Sequence, residues 1–331
     1  LTMGRPKGSK NKGKAATQSK VNSPVVNAPD EGQNHAEVLT ALIEEADAAK
    51  PKTTGVVMIA TGHPYYAHMA ANLATAIKYQ SPGLSITLFH DGASTGPMSD
   101  DKRVMFDRME LLPQHVYNGD PFHVKLWLDT LTPYDRTLYL DVDMMATARD
   151  KTVEQLFESL RGTEFTIANR GYADNNGGIC QWAKLSDVKS TYGVNGVWDV
   201  SSEVIYFEGK PSVFRKAREV YEHQLLTPVK FGAGLPDEFF LQVAMELTQT
   251  NPHVNGWEPS YWQPRYFTKT HNSDYVQSNY YFLSVGGNDA IPQQRKIYNT
   301  LASHFYFGMG GKRIPYQYQP KSKLMKERRN K

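Results

Sequence analysis

Short apolar runs alternate with amphipathic segments along this chain, and that alternation restricts its possible folds more than any other feature. The runs at 55–61 and 84–90 read GVVMIAT and LSITLFH, and RTLYLDVDMMAT at 136–147 is similarly apolar. Parallel strands that are buried on both faces have this composition. A helix pattern with a proline near its first turn occupies 64–79, between the first two runs. We therefore predict an α/β fold, with a mostly parallel sheet flanked by helices.

The periodicity of the remaining chain predicts further elements. Helices are expected at 120–131, 152–160, 211–225 and 236–248, and strands at 164–168 and 202–209. Ligands of such sheets bind at the carboxyl ends of the strands. The Gly- and Asn-rich segment 169–184 is either an acceptor-facing lid or a flexible surface loop. The aromatic, loop-rich segment 251–290 is a candidate cover for a site.

Basic residues are concentrated at the two ends of the chain. Residues 1–29 and 321–331 hold 12 of the 37 lysines and arginines and one acid, which leaves 25 bases and 33 acids between them, a net charge near −8. This separation predicts tails that meet a polyanion and a body that binds something else. We divide the chain into a disordered basic tail (1–33), a helix and linker (34–52), a folded domain (53–316) and a second basic tail (317–331).

Cysteine content and hydropathy indicate the compartment. The single cysteine, Cys180, makes no disulfide within the chain, which favours a reducing environment. No apolar run approaches 18 residues, and the first residues lack the apolar core of a secretory signal. We therefore expect a cytoplasmic protein with no membrane partner.

An Asp-x-Asp pair ends the third apolar run. Asp141 and Asp143 occupy alternate positions of LYLDVDMM, from which two carboxylates reach one divalent cation if the chain bends there. Mg²⁺ and Mn²⁺ prefer such oxygen ligands. Strand ends are often acidic for other reasons, so the interpretation depends on the residues around the pair.

Those surroundings resemble a known family. Residues 122–160, FHVKLWLDTLTPYDRTLYLDVDMMATARDKTVEQLFESL, are similar in order and spacing to the signature of glycosyltransferase family 8, to which glycogenin and bacterial galactosyltransferases belong. The resemblance implies a GT-A fold, which is Rossmann-like, and a nucleotide-sugar donor, with a UDP-sugar expected. It also implies Mn²⁺ or Mg²⁺ held by Asp141 and Asp143, and transfer with retention of the anomeric configuration.

Other segments match the family in the same order over roughly 55–316. MIATGHPYYAHMAANLATAI resembles its first strand and helix, whose loop holds the uridine. The implied donor contacts are Thr61, Gly62, His63 and Tyr66. Lys125 matches the lysine that approaches the donor phosphate.

The segment ASHFYFGMGGKRIPY, at 302–316, resembles the closing motif of the family with two inserted residues. The resemblance implies that His304 is the third metal ligand and that Gly308 and Lys312 contact the diphosphate. A surface histidine is the alternative interpretation of His304.

Two acids in GLPDEFFLQVAM complete the candidate site. Asp237 matches a family acid that touches the sugar or the acceptor. Glu238 stands where the family has glutamine, beneath the reacting sugar carbon; it is either a group that stabilises or attacks that carbon or a helix-start acid favoured by the dipole. Ser202 and Glu203 occupy the place of the family's acceptor segment and are substitutes for it.

Two other protein classes fit parts of the sequence. Haloacid-dehalogenase-like phosphatases also place Asp-x-Asp after a buried strand, but near the start of the domain and before a small residue and threonine, whereas Met144 and Met145 follow here. A catalytically idle nucleic-acid-binding protein fits the basic tails, although not the acidic body.

The basic run GRPKGSKNK resembles an AT-hook, whose Gly-Arg-Pro core lies in the narrow minor groove of A·T-rich DNA. The resemblance implies DNA contacts from Arg5, Pro6, Lys7 and Lys10. A generic basic tail is the alternative. Phage enzymes that place sugars on hydroxymethylated bases are the nearest functional analogy and would act in the host cytoplasm. The rival acceptors are a protein hydroxyl and a saccharide.

Overall fold

The structure is a computed structural model, which describes the parts of the chain that build the predicted domain. They are residues 53–119, 121, 123–146, 151–175, 179–180, 182–226, 235–261, 276, 278–284, 306–309 and 312–315, all within the compact unit Lys52–Lys331. The predicted tails, with Arg5, Pro6, Lys7 and Lys10, lie outside the described residues, as do the predicted helix and linker at 34–52 and His304.

A six-stranded sheet forms the centre of the domain. Its strands are β1 (Thr54–Ala60), β2 (Ser85–His90), β3 (Arg108–Leu111), β4 (Arg136–Leu140), β6 (Phe165–Ala173) and β9 (Val197–Glu208), in the order β3-β2-β1-β4-β9-β6. The first four are parallel neighbours, and β9 is antiparallel to both β4 and β6. The prediction of a mostly parallel sheet is therefore confirmed.

Helices cover both faces of this sheet. They are α1 (Pro64–Gln80), α2 (Asp100–Arg103), α3 (Leu128–Leu131), α4 (Val153–Ser159), α5 (Leu185–Tyr192), α6 (Ser212–Leu226) and α7 (Asp237–Leu247). Because side chains alternate along a strand, Val56 and Met58 pack with α1 and α4 on one face. Val57 packs with α5, α6 and α7 on the other. No helix of the described residues is long and apolar enough to span a bilayer.

The apolar run at 136–147 is not one strand, as the sequence suggested, but two. It forms β4 and then β5 (Met144–Ala146), which belongs to a three-stranded sheet with β10 (Ser260–Tyr261) and β11 (Phe282–Ser284). Directly after β4, Asp141 N still donates a hydrogen bond to Glu203 O of the main sheet, at 2.9 Å. The Asp-x-Asp pair therefore lies where the chain leaves one sheet for another.

The helix expected at 120–131 is also shorter and less regular than predicted. It consists of a 3₁₀ turn, Val124–Trp127, followed by the single α-helical turn of α3. Pro133 explains its end, because a residue that precedes proline avoids the helical region. Two short antiparallel strand pairs complete the described structure. They are β7 (Ile179–Cys180) with β8 (Ala183–Lys184), and β12 (Tyr306–Met309) with β13 (Lys312–Pro315).

Candidate functional site

A cavity of about 240 Å³ opens at the carboxyl ends of β1 and β4. It is lined by Ile59, Thr61, Tyr66, Pro121, Lys125, Tyr139, Asp141, Val142 and Asp143. Five of the site residues predicted from the sequence therefore line the same cavity. This is the sheet edge at which α/β proteins bind their ligands.

The loop between β1 and α1 forms one side of the cavity. Thr61 and Tyr66 line it, whereas Gly62 and His63 shape the loop. Gly62 turns the chain with a φ of 77°, and the imidazole Nδ1 of His63 accepts a hydrogen bond from Tyr65 N at 3.0 Å and caps α1. Burial raises the pKa of the Tyr66 hydroxyl, and the charges of Asp143 and Asp141 add to the effect. The Tyr66 ring therefore shares the cavity with both carboxylates.

Asp141 is held in a fixed orientation at the end of β4. Its backbone amide is bound to Glu203 O, and its carboxylate Oδ1 accepts a hydrogen bond from the Tyr139 hydroxyl at 2.5 Å. Tyr139 comes from the same strand two residues earlier, so both side chains lie on one face. Asp143 is half-buried on the turn that follows.

A buried ammonium group connects the acids of the site. Lys125 Nζ lies 2.9 Å from Asp141 Oδ1 and 3.0 Å from Oδ2, and 3.5 Å from Asp237 Oδ2. Nζ also donates to Ser202 Oγ at 3.0 Å. Burial opposes the charged form, but Asp141 and Asp237 outweigh it and hold the pKa of Lys125 well above its ordinary value. The lysine therefore stays charged and ties β4, β9 and α7 together.

The first turn of α7 contributes the two acids predicted from the sequence. Glu238 Oε1 accepts a hydrogen bond from Ser202 N at 3.1 Å, and Oε2 accepts one from Trp182 Nε1 at 2.8 Å. Burial raises the pKa of Glu238, and the neighbouring charge of Asp237 adds to the rise. Both oxygens of Glu238 thus bind protein groups. Through this bond Trp182 connects the segment 169–184 to α7.

Glu203, one of the substitutes for the family's acceptor segment, is buried close to the Asp-x-Asp pair. It is 7% exposed, and its carboxyl oxygens bind Ser284 Oγ at 2.7 Å and Ser260 Oγ at 3.4 Å. Burial raises the pKa of Glu203 to about 8 despite the Ser284 bond, and the charges of Asp143 and Asp141 contribute. Sequence reasoning missed this role because Ser260 and Ser284 are distant in the chain.

The carboxylates suit a hard divalent cation. Asp141 and Asp143 face one cavity, and each raises the pKa of both Tyr66 and Glu203, which shows that their negative charges act on the same space. A cation would relieve this repulsion, and Mg²⁺ or Mn²⁺ needs few protein oxygens because it keeps bound water. Within the described residues no third His, Cys, Asp or Glu completes a cluster with metal-ligand geometry. His304, the predicted third ligand, lies outside them.

The structure describes only the backbone of the predicted diphosphate contacts. Gly308 pairs with Arg313 in the β12–β13 hairpin, and Met309 pairs with Lys312. Strand β12 approaches α1, the helix that begins at the cavity. The roles of Gly308 and Lys312 therefore stay predictions.

Comparison with known proteins gives similarity of fold only. No protein-family model and no curated protein matches the chain. Solved structures that resemble it include the galactosyltransferase LgtC with donor and acceptor sugar analogues, at 13% identity over 74% of this chain and 95% of LgtC, with a TM-score of 0.46. An active-site mutant of LgtC is 13% identical over 77% of this chain and 98% of its own, with a TM-score of 0.44.

The apo structure of WbbM, a bifunctional glycosyltransferase, is 11% identical over 76% of this chain and 52% of its own, with a TM-score of 0.47. With TM-scores below 0.5, these likenesses leave the chemistry of the site to be argued from the side chains in the cavity.

Replacement of Lys125 by methionine is expected to destabilise the domain by about 3–5 kcal/mol, because it leaves the carboxylates of Asp141 and Asp237 without their buried cation. Urea unfolding measures the change. The matched control is Lys216→Met, which removes a lysine whose partner, Glu219, lies on the surface and which should change stability little. Equal stability of the two variants would contradict the network.

The raised pKa of Glu203 predicts a pH dependence of stability. The folded protein keeps a proton on this carboxyl up to about pH 8, whereas the unfolded chain releases it near 4.5. The contribution of Glu203 to the free energy of unfolding is therefore fully present below pH 4.5. It is lost as pH rises toward 8, at up to about 1.4 kcal/mol per pH unit. Urea unfolding between pH 5 and 8 in the presence of a chelator should show this slope, and Glu203→Gln should flatten it. An identical slope in the variant would refute the assignment.

Proposed function

We propose that this chain is a metal-dependent glycosyltransferase of the GT-A type, which moves a sugar from a UDP-hexose to a hydroxyl group. One observation carries the proposal: the Asp141–Asp143 pair faces the same cavity as Thr61 and Tyr66, the residues matched to the uridine loop. A nucleoside site beside a pair of carboxylates is what a metal-bound nucleoside diphosphate requires.

Different residues of the chain bind different parts of the donor. Thr61 and Tyr66 contact the nucleoside, while Gly62 and His63 hold their loop in shape. Asp141 and Asp143, with His304, would hold the cation, which when bound neutralises the negative charge that the leaving diphosphate develops. Gly308 and Lys312 are the proposed diphosphate contacts from the chain's last described hairpin.

We propose that Lys125 has a second role besides the phosphate contact that the family resemblance implies. Its ammonium binds both oxygens of Asp141 and approaches Asp237. It therefore orients a metal ligand and adds positive charge beneath the diphosphate position.

Neither α7 acid is among the residues that line the cavity, but Asp237 is the one with a carboxylate oxygen that no hydrogen bond from the described residues occupies. Its Oδ2 lies 3.5 Å from Lys125 Nζ and accepts no hydrogen bond from the described residues. Both oxygens of Glu238 are occupied by Ser202 and Trp182. We propose that Asp237 stabilises positive charge at the anomeric carbon, that Glu238 positions the surrounding segments, and that transfer proceeds with retention.

The phosphatase alternative is less well supported by the sequence around the pair. It would require Asp141, the first acid of the pair, to attack a phosphoryl group. Met144 and Met145 follow the pair in place of a small residue and threonine, and three strands and α1 come before β4 and the pair, whereas such phosphatases have the pair near the start of the domain. Turnover of a generic phosphomonoester, with none of any nucleotide-sugar, would favour the phosphatase.

The donor reaction is tested with purified protein, Mn²⁺ and a panel of nucleotide-sugars, with hydrolysis and transfer followed by mass spectrometry. We expect turnover of a UDP-hexose and a loss of at least about 100-fold in Asp143→Ala, because a metal ligand and its charge are removed. The matched control is Asp100→Asn, which neutralises an exposed acid at the start of α2. Full activity of Asp143→Ala would show the metal assignment to be wrong.

We further propose that the acceptor is a hydroxymethylated base in DNA. The support is the AT-hook-like run, in which Arg5 and Pro6 would lie in the minor groove while Lys7 and Lys10 contact phosphates. A tethered tail raises the effective concentration of its polyanion near the active site without contributing to the chemistry.

Deletion of residues 1–33 should therefore weaken activity on long hydroxymethylated DNA at physiological salt and spare donor hydrolysis. A variant in which residues 4–14 are shuffled keeps the charge and loses Gly-Arg-Pro, so it separates an AT-hook from a generic basic tail. Unchanged activity of the deletion variant on DNA would rule out the tether. Transfer to protein or saccharide, and none to DNA, would rule out the DNA acceptor.

A further inference from the structure

The loop after β2 braces the loop after β1 through one carboxylate. Asp91 Oδ2 accepts a hydrogen bond from Gly62 N at 2.6 Å, and Asp91 Oδ1 accepts one from Ser94 N at 2.8 Å. Ser94 is buried, and its hydroxyl donates to Ala60 O at 2.8 Å. The two loops are thus joined at both ends of the Ala60–Gly62 turn.

The sheet register makes this brace possible. Ala60 pairs with His90 at the ends of two adjacent parallel strands, so the residues that follow them emerge side by side. His90 supports the second loop in turn, because its Nδ1 accepts a hydrogen bond from Gly92 N at 3.0 Å. Asp91 therefore extends from a fixed loop toward its neighbour.

Gly62 is the point at which the first loop would otherwise be free to change conformation. Its φ of 77° lies in the left-handed region, and a Cβ built there would meet no described residue within 4 Å. On that side of the backbone, the described residues offer no packing that would replace the Asp91 bond. Burial alone would raise the pKa of Asp91, but the Gly62 and Ser94 amides outweigh it and lower the pKa, so the carboxylate is charged at neutral pH.

We propose that Asp91 is a positioning residue for the nucleoside of the donor. It does not line the cavity; it acts through Gly62, and so fixes Thr61 on one side of the turn and the start of α1, with Tyr66, on the other. This inference rests on the proposed function, since it assumes that a nucleoside occupies this wall. It gives Asp91 a role in donor binding and none in the transfer step.

Asp107 offers a matched control. Its Oδ2 also accepts a hydrogen bond from a backbone amide, Ile86 N at 2.8 Å, but at the opposite end of β2. Hydrogen bonds to this carboxylate likewise lower the pKa of Asp107 against the effect of burial. Asp107→Asn therefore damages a comparable interaction away from the cavity.

The test uses the full chain and UDP with Mn²⁺ as the probe, measured by calorimetry. Asp91→Asn keeps one acceptor oxygen and should weaken UDP binding about tenfold, and Asp91→Ala, which keeps none, by up to about 100-fold. In turnover assays KM for the donor should rise by similar factors while kcat stays within about twofold. Hydrogen exchange at residues 60–66 should accelerate in both variants even without UDP.

Asp107→Asn should leave UDP affinity and exchange at residues 60–66 unchanged. If Asp91 variants do not fold, Ser94→Ala removes the bonds of the Ser94 hydroxyl to Ala60 O and to the Asp91 carboxylate, leaves the Asp91 bond to Gly62 N in place, and should still weaken UDP binding severalfold. Equal UDP affinity in Asp91→Asn, Asp107→Asn and the parent protein would overturn the role of Asp91. A parent protein that binds no UDP would instead overturn the proposed function.

Discussion

The candidate site depends on the burial of one charge, the ammonium of Lys125. Taking a charge out of water is costly unless oppositely charged groups and hydrogen-bond acceptors surround it, and here the carboxylates of Asp141 and Asp237 and the hydroxyl of Ser202 do so. These partners come from a strand end, a helix start and a second strand. Because each must be in place for the lysine to be stable, correct folding of the domain and correct assembly of the site are the same event.

The parts of the fold that were predictable are those whose signal is local. Strand β1 and helix α1 lie within a residue of the predicted limits, because buried parallel strands are apolar throughout and the proline marks the helix start. The division of 136–147 into two strands was not predictable. It depends on β11, more than 130 residues later, which pairs with β5 and draws the chain out of the main sheet.

The site was predictable only in its outline. Motifs identified Thr61, Tyr66, Lys125, Asp141 and Asp143, and the structure brings all five to one cavity. It also shows contacts that the motifs did not indicate. Tyr139 orients Asp141, Trp182 binds Glu238, and Glu203 is enclosed by serines from distant strands. The contacts of Trp182 and Glu203 join side chains that are far apart in sequence, and only the folded sheets bring them together. The contact of Tyr139 with Asp141 was predictable, because residues two apart in an extended strand lie on the same face.

The passage of the chain from β4 to β5 has a mechanical consequence. Asp141 is bonded to the main sheet through Glu203, and Asp143 directly precedes a strand of the small sheet. The side chain of Glu203 reaches that small sheet as well, through Ser260 and Ser284. The distance between the two aspartates is therefore governed by the angle between the sheets. Any tilt of one sheet against the other would change the separation of the two carboxylates, and the Glu203 side chain, which is bonded to the small sheet, would resist it.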